Sequence, residues 1–257
     1  MLDMHMMLAI TGVALVGGLI GLDRTAAGQF MISQPIVAAP LTGWLLGDAA
    51  AGLIIGAMLE LIWVLDMPVG SFVPADATVS AVTATAVAVL TCPGGAPTAV
   101  LGFSVLLSAG TVPFTMMADT YMRTWNSRLV DMAQTAARDD AARRLSRAHL
   151  AGLCTFFLKS VVLYVLLLPA GLAAAALFLR SPAAVQVAME LFLKLLPLLG
   201  AALVVRRLSI SSLDPFLLTG FITGGLAALI LHIHAVMITT LTAVAGWMGV
   251  RYREQRR

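Results

Sequence analysis

The chain has 257 residues, of which 60% are hydrophobic and only 11% are charged. Water-soluble domains carry about 25% charged residues, so this composition excludes a water-soluble domain and indicates an integral membrane protein. Apolar runs of roughly 17–25 residues predict membrane-spanning helices and exclude a β-barrel, whose strands would appear as short segments of alternating hydrophobicity. The formal charge of +3 does not indicate a nucleic-acid partner, because the basic residues cluster between apolar runs and at the C-terminus.

The first apolar run, residues 6–22, predicts a membrane helix. Four glycines within it are expected to allow close helix packing, namely Gly12, Gly17, Gly18 and Gly21. A polar break at residues 23–29 separates this helix from a second apolar run.

The second run, residues 30–46, is too short and too interrupted for a full membrane span. It contains Pro35 and Pro40, and helix breakers inside an apolar segment are typical of broken or re-entrant helices. Gly47 and Asp48 predict a turn into a third run, with Asp48 as a turn or cap residue.

The third run, residues 53–65, carries one carboxylate, Glu60. Gly52, Gly56 and Glu60 are spaced four residues apart, which places them along one helical stripe. Small residues on this stripe would let another element approach closely, and Glu60 would face that contact rather than lipid. Because a carboxylate is costly at membrane depth, Glu60 is a functional candidate; the alternative is that it caps or pairs inside the helix bundle.

Residues 66–76 are predicted to form an irregular loop, because Pro68 and Pro74 exclude a regular helix there. Asp76 is placed to cap a helix of small residues over positions 77–91. A helix N-terminus also offers N–H groups to a polar ligand, so capping and ligand binding are both open for Asp76.

The rest of the chain predicts further membrane helices on either side of an arginine-rich segment, residues 119–149. This segment is interpreted as an amphipathic helix near the surface within a solvated connection, and its arginines indicate the cytoplasmic side. Lys159 lies inside an otherwise apolar span, and arginines at the C-terminus predict that this end is cytoplasmic. The predicted helices here cover residues 98–117, 150–178 and 183–205, and the last apolar run, residues 216–250, predicts one full span plus a short piece, or a hairpin.

The sequence contains no spacing typical of a metal site, no phosphate-binding loop and no catalytic constellation. We therefore expect no cofactor, and we expect that the chain is not an enzyme on its own. Two proline-interrupted, polar segments inside an apolar chain point instead to the binding site of a transporter.

Several stretches carry a family resemblance. Residues 34–48 read QPIVAAPLTGWLLGD, residues 52–62 read GLIIGAMLELI, and residues 74–76 read PAD. These stretches resemble the IIC subunit of the mannose/fructose/sorbose family of the bacterial sugar phosphotransferase system, or PTS. Residues 195–221 are similar to the second half of that family, so the resemblance covers most of the chain.

The chain departs from the family pattern in three places. The family usually has a Gln-x-His-Arg-Pro type of segment where this chain has residues 31–35, and its Pro-Asp pair is Pro74-Ala75-Asp76 here. A family asparagine falls at or near Pro68. These positions lie where sugar selectivity would be set, so the resemblance does not identify the sugar.

The resemblance implies an all-α, polytopic membrane protein with broken or re-entrant helices in the bacterial inner membrane. It implies a partner IID membrane subunit, soluble IIA and IIB phosphocarrier proteins, and trimers of IIC–IID pairs. The sugar would move by an elevator-like shift of a core domain against a scaffold. The whole chain would be one IIC domain, with membrane halves at residues 1–118 and 150–250 joined by the cytoplasmic connection at 119–149.

A sugar presents hydroxyl groups in fixed directions, and carboxylate and amide groups are suited to bind them. We predict Glu60 and Asp76 as hydroxyl acceptors; the further candidates are Gln29, Ser33, Gln34 and Asp66, and the role of Asp66 is undecided. Two other functions are weighed beside a IIC-type sugar permease. One is an ion-coupled secondary transporter, and the other is a membrane scaffold that transports nothing.

Overall fold

The computed structural model describes residues 4–63, 73–134 and 141–208, together with residues 219 and 223. Seven α-helices and no strand lie in these ranges, which confirms the all-α prediction. The chain divides into two compact units, residues 1–200 and 201–257, and the first unit is described below. The helices are α1 (Met4–Leu22), α2 (Pro35–Leu46), α3 (Ala49–Trp63), α4 (Ala77–Thr91), α5 (Thr98–Gln134), α6 (Ala141–Leu179) and α7 (Ala183–Leu208).

Helix length separates these elements into two kinds. Four helices, α1, α5, α6 and the first part of α7, are long and apolar enough to cross a membrane. The other three, α2, α3 and α4, have only 12, 15 and 15 residues. A full span needs about 20 residues, so the predicted short, interrupted helices at residues 30–65 are confirmed.

Helices α2 and α3 form a tight antiparallel hairpin. Gly47 ends α2 with a φ of 94°, a conformation that glycine adopts without strain. The Asp48 carboxylate then accepts a hydrogen bond from the Ala51 N–H at 2.9 Å and caps α3. The predicted turn at Gly47 and Asp48, and the capping role of Asp48, are therefore confirmed.

Backbone contact holds the two helices of this hairpin together. A Cβ atom added at Gly52 would meet the Ala39 carbonyl, and one added at Gly56 would meet the Pro35 carbonyl. Glu60, the next member of the stripe, accepts a hydrogen bond from the Ile36 N–H at 3.1 Å. The stripe was correctly predicted, because each of its members faces α2.

Helix α4 lies at the centre of the first unit. It contacts α1, α2, α3, α5 and α6. Every residue from 78 to 89 is buried, and all of them are Ala, Val, Thr or Ser. Small side chains let five neighbouring helices approach one axis, as in other membrane helix bundles.

Helix α1 packs against α6 through three of its four glycines. The nearest atoms to an added Cβ would belong to Tyr164 at Gly17, to Phe157 and Val161 at Gly18, and to Ser160 at Gly21. The prediction is wrong for Gly12, because no atom of the described residues lies within 4 Å of a Cβ added there.

The arginine-rich segment is not a separate surface helix. Helix α5 continues without a break to Gln134, and α6 begins at Ala141. Asp119 is buried inside α5, so its assignment to a solvated connection is wrong. The predicted loop at residues 66–72 and the C-terminal arginines lie outside the described residues, as does the predicted span or hairpin at residues 216–250, apart from positions 219 and 223.

We predict that Gly52→Ala destabilises the protein. Replacing a glycine inside a helix by alanine normally stabilises it by up to about 1 kcal/mol. Here the added methyl group would push against the Ala39 and Pro40 backbone, and overpacking of this kind costs about 1–3 kcal/mol. Thermal unfolding of the purified protein in detergent measures the change.

Gly12→Ala is the matched control, because Gly12 also lies inside a helix but has open space around its Cβ position. It should keep or raise the midpoint of unfolding. Equal midpoints for the two variants would show that the α2–α3 backbones are not in close contact.

Candidate functional site

Asp76 caps the N-terminus of α4 from a buried position. Its carboxylate accepts a hydrogen bond from the Val79 N–H at 3.2 Å, which confirms the predicted cap. Only 3% of the residue is exposed. A carboxylate this deeply buried needs positive charge beside it, because burial strongly disfavours an isolated ion.

Two cations supply that charge. Arg24 donates from Nη1 to Asp76 Oδ1 at 3.1 Å and from Nη2 to the Ala75 carbonyl at 2.6 Å. Lys159 donates to Asp76 Oδ2 at 2.9 Å and to Asp119 Oδ1 at 2.5 Å. We call Arg24, Asp76, Asp119 and Lys159 the buried ion-pair network.

The buried ion-pair network is electrically balanced and joins four parts of the chain. It contains two cations and two carboxylates. Arg24 follows α1, Asp76 begins α4, Asp119 belongs to α5 and Lys159 belongs to α6. The N-terminus of α4 is therefore tied to three elements that surround it.

The N-termini of α2 and α4 meet beside this network. The Thr78 hydroxyl donates to the Ser33 carbonyl at 2.7 Å. Asp23, the neighbour of Arg24, accepts hydrogen bonds from the N–H groups of Phe30 at 2.6 Å and Ser33 at 3.1 Å. We call this meeting point of residues 33–36 with residues 76–79 the helix-end junction.

Asp23 stays charged in this position. Burial raises the pKa of Asp23, but the hydrogen bonds from the Phe30 and Ser33 backbone N–H groups lower it more, so the pKa lies below its ordinary value. An ionised Asp23 therefore closes the loop at residues 23–34 just before the start of α2.

The structure brings several of the predicted sugar-binding residues near the helix-end junction. Ser33 is buried there, and Gln34 is the half-buried N-cap residue of α2, whose side chain makes no capping hydrogen bond. Glu60 is half-buried and reaches the junction through the Ile36 N–H. Gln29 is exposed in the preceding loop, with a φ of 57°. Asp66 lies outside the residues that the structure describes.

Glu60 and Asp76, the two predicted acceptors of sugar hydroxyls, differ in how many hydrogen bonds they can still accept. A carboxylate has about four lone-pair sites. Those of Asp76 already accept from Arg24, Val79 and Lys159. The hydrogen bond from Ile36 occupies one site of Glu60, so Glu60 has more capacity for a ligand.

Two cavities open between the described helices, and neither is lined by Glu60 or Asp76. One has a volume of about 540 Å³ and lies between α5 and α6. The other, about 410 Å³, lies between the α2–α3 turn and the α4–α5 turn and includes Asp48. Among the described residues no group of three His, Cys, Asp or Glu side chains is arranged to hold a metal ion.

Sequence reasoning did not identify Arg24, Asp119 and Lys159 as members of this site. The one sequence feature that could have indicated this site was Lys159, because a lysine inside an apolar span requires an anionic partner. Its partners Asp76 and Asp119 lie 83 and 40 residues away in the sequence, and no short-range pattern connects them.

The fold and the junction define a class of protein. Long spanning helices around short, paired helices with buried charges are typical of membrane transporters. Comparison with known families makes the assignment more specific. The family described as the PTS system sorbose-specific IIC component matches residues 7–247, and the chain belongs to this family.

Individual relatives agree with this assignment. The sorbose-specific EIIC component of the PTS from Klebsiella pneumoniae is 23% identical over 199 residues, which cover 77% of this chain and 73% of that protein. A solved structure described as a membrane protein has a TM-score of 0.72 at 20% identity and covers 99% of this chain and 97% of its own. The mannose transporter ManYZ, solved in complex with microcin E492, has a TM-score of 0.54 at 22% identity and covers 96% and 94%. At these identities the solved structures show the fold alone.

We predict that Lys159→Gln destabilises the protein by about 3–5 kcal/mol, because it leaves Asp119 buried without a cation. The measurement is unfolding of the purified protein in detergent. Lys194→Gln is the matched control, since Lys194 is exposed on α7.

The double variant Lys159→Gln with Asp119→Asn should recover part of the lost stability. It removes the charge of Asp119 together with that of Lys159, and the ion pair of Arg24 with Asp76 remains. If Lys159→Gln and Lys194→Gln unfold alike, the buried ion-pair network does not support the fold.

Proposed function

We propose that this chain is the sugar-translocating subunit of a PTS permease. It takes up a hexose-type sugar together with a IID membrane subunit, while soluble IIA and IIB proteins phosphorylate the sugar. Family membership over residues 7–247 supports the proposal at the level of the complex. The helix-end junction supports it at the level of residues.

The observation that carries the proposal is the position of Glu60. It is a half-buried carboxylate on a short helix, and its stripe faces the N-terminus of α2. Sugar hydroxyls are hydrogen-bond donors, and a carboxylate with unused lone pairs is a strong acceptor for them. A site that pairs hydroxyls also discriminates against analogues that lack them.

The other candidate residues have different roles in this proposal. Ser33 and Gln34 flank the start of α2 and contact the sugar together with Glu60, and Gln29 contributes from the loop. Asp76 accepts a sugar hydroxyl only at its remaining lone-pair site, and mainly positions the start of α4. Asp66, on the segment between α3 and α4, is proposed as a further contact to the sugar.

The chain itself supplies binding and orientation in this mechanism. The phosphoryl group comes from the IIB protein, and holding the sugar in a fixed orientation favours its transfer. The proposal includes residence in the bacterial inner membrane, a cytoplasmic C-terminus and trimers of IIC–IID pairs. The exposed arginines Arg123, Arg128, Arg143 and Arg147 on α5 and α6 support a cytoplasmic position for the α5–α6 connection.

The test is uptake of a panel of labelled hexoses and hexosamines by cells that lack their own sugar permeases. Uptake should require this chain, its IID partner and the phosphoryl donors together. Uptake by this chain alone in liposomes, driven by a proton or sodium gradient, would instead identify an ion-coupled secondary transporter. Absence of any sugar binding by the IIC–IID complex would favour a scaffold that transports nothing.

The substitution Glu60→Gln tests whether sugar binding depends on the Glu60 carboxylate. The amide oxygen can still accept from the Ile36 N–H, so the hairpin is retained, but the charge-assisted bond to the sugar is lost. The sugar concentration for half-maximal uptake should rise by about tenfold. Glu190→Gln on α7, also half-buried, is the control and should leave it unchanged.

A further inference from the structure

Phe30 is an exposed aromatic side chain on the loop that precedes α2. It is 77% exposed, the largest fraction of any large apolar residue that the structure describes. One edge of its ring lies against Gly28, where an added Cβ atom would be 3.0 Å from the ring atoms Cδ2 and Cε2. The loop therefore supports the ring on one side and leaves the rest of it open to another molecule.

The backbone on either side of Phe30 is strained. Gln29 has a φ of 57° and Met31 has a φ of 67°, and both residues carry a Cβ atom. Such a residue rarely adopts a positive φ, and backbone strain of this kind concentrates at sites that hold a ligand. The strain therefore directs attention to what the residue between them does.

Asp23 holds this loop in its strained form. Its carboxylate accepts hydrogen bonds from the Phe30 N–H at 2.6 Å and from the Ser33 N–H at 3.1 Å. One side chain thus fixes both the residue that carries the ring and Ser33, which belongs to the helix-end junction. The backbone of Phe30 is therefore anchored beside the proposed sugar site.

The surroundings of Phe30 suit a polar ligand better than lipid. Most of the exposed large apolar side chains lie on the helices, where lipid or another subunit can cover them. Phe30 instead follows the polar segment at residues 23–29, and its own N–H binds a carboxylate. Burying such polar groups among acyl chains is unfavourable. The aromatic residues that concentrate at membrane interfaces are Trp and Tyr, which have a polar group that Phe lacks.

A cyclic sugar presents two kinds of surface, a rim of hydroxyl groups and two faces that carry C–H groups. Carboxylate and amide groups bind the rim, and Glu60, Ser33 and Gln34 are the candidates for that role. The face of an aromatic ring is electron-rich, so it attracts the C–H groups of a sugar face and shields them from water. Phe30 adds this apolar component to a site that otherwise offers hydrogen bonds alone.

We propose that Phe30 is a specificity-determining residue on which a cyclic hexose stacks, and that Asp23 positions it. This inference rests on the proposed transport function and narrows its substrate class. The substrate is a ring-closed hexose. The corresponding open-chain hexitol offers similar hydroxyl groups but has no ring face, so it binds more weakly.

The experiment measures uptake by cells that contain this chain, its IID partner and the phosphoryl donors. Two quantities are determined, the half-saturating concentration of a transported hexose and the inhibition of its uptake by the corresponding hexitol. Phe30→Leu keeps an apolar side chain of similar size and removes the ring. The half-saturating concentration should rise by about three- to tenfold. Inhibition by the hexitol should stay the same, so the preference for the hexose falls by the same factor.

Two further variants are the controls. Phe30→Tyr keeps the ring, so its half-saturating concentration should stay within about twofold of the unchanged chain. Trp44→Leu removes a ring that is 74% exposed at the other end of α2, and it should change neither quantity. Because the half-saturating concentration does not depend on how much folded protein is present, a partial loss of folded Phe30→Leu would not imitate the expected result.

Three results would overturn the proposal. They are equal half-saturating concentrations for Phe30→Leu and the unchanged chain, equal losses for Phe30→Leu and Phe30→Tyr, and a lower maximum rate with an unchanged half-saturating concentration. The last result would identify Phe30 as a contact to lipid or to the IID subunit. In all three cases uptake by the unchanged chain leaves the proposed function standing. If the unchanged chain takes up no sugar, the proposed function and this inference are both overturned.

Discussion

The arrangement of the membrane helices depends on the neutralisation of one buried carboxylate. Asp76 is 3% exposed, at the N-terminus of a helix that contacts five others. An isolated ion in such a position would cost several kcal/mol or more. Arg24 and Lys159 remove that cost, and Asp119 in turn balances the second cation. The start of α4 is held in one place because moving it would separate these charges.

A second constraint acts on the short helices. Neither α2 nor α3 is long enough to cross a bilayer, so a re-entrant hairpin of the two would leave helix ends at membrane depth. Backbone groups there must be satisfied within the protein. Contact at Gly52 and Gly56 joins the two helices into one unit, and the Glu60 carboxylate satisfies the Ile36 N–H. The same contact that stabilises the hairpin therefore sets the position of the main candidate for sugar binding.

Features set by neighbouring residues could be predicted from the sequence. The stripe of Gly52, Gly56 and Glu60 follows from helical spacing, and the Asp48 and Asp76 caps follow from residue type and position. The end of α5 could not be predicted in this way. The change to polar composition near Asp119 indicated a helix boundary, but no glycine or proline interrupts residues 114–134 and the helix continues.

The buried ion-pair network could not be predicted, because its contacts join residues 40, 52 and 83 positions apart. Such contacts depend on how helices pack, which local patterns do not encode. The failed prediction at Gly12 has the same origin. Helical spacing identified four small residues on α1, but only the neighbouring helix determines which of them it contacts.

The most direct test of the helix-end junction as a sugar site is ligand protection of a thiol placed within it. Gln34→Cys, in a chain in which Cys92 and Cys154 are replaced by serine, places one thiol at the N-cap of α2. The account predicts that a transported hexose slows maleimide labelling of this thiol in the IIC–IID complex. A labelling rate that is the same with and without every sugar the complex transports would contradict it.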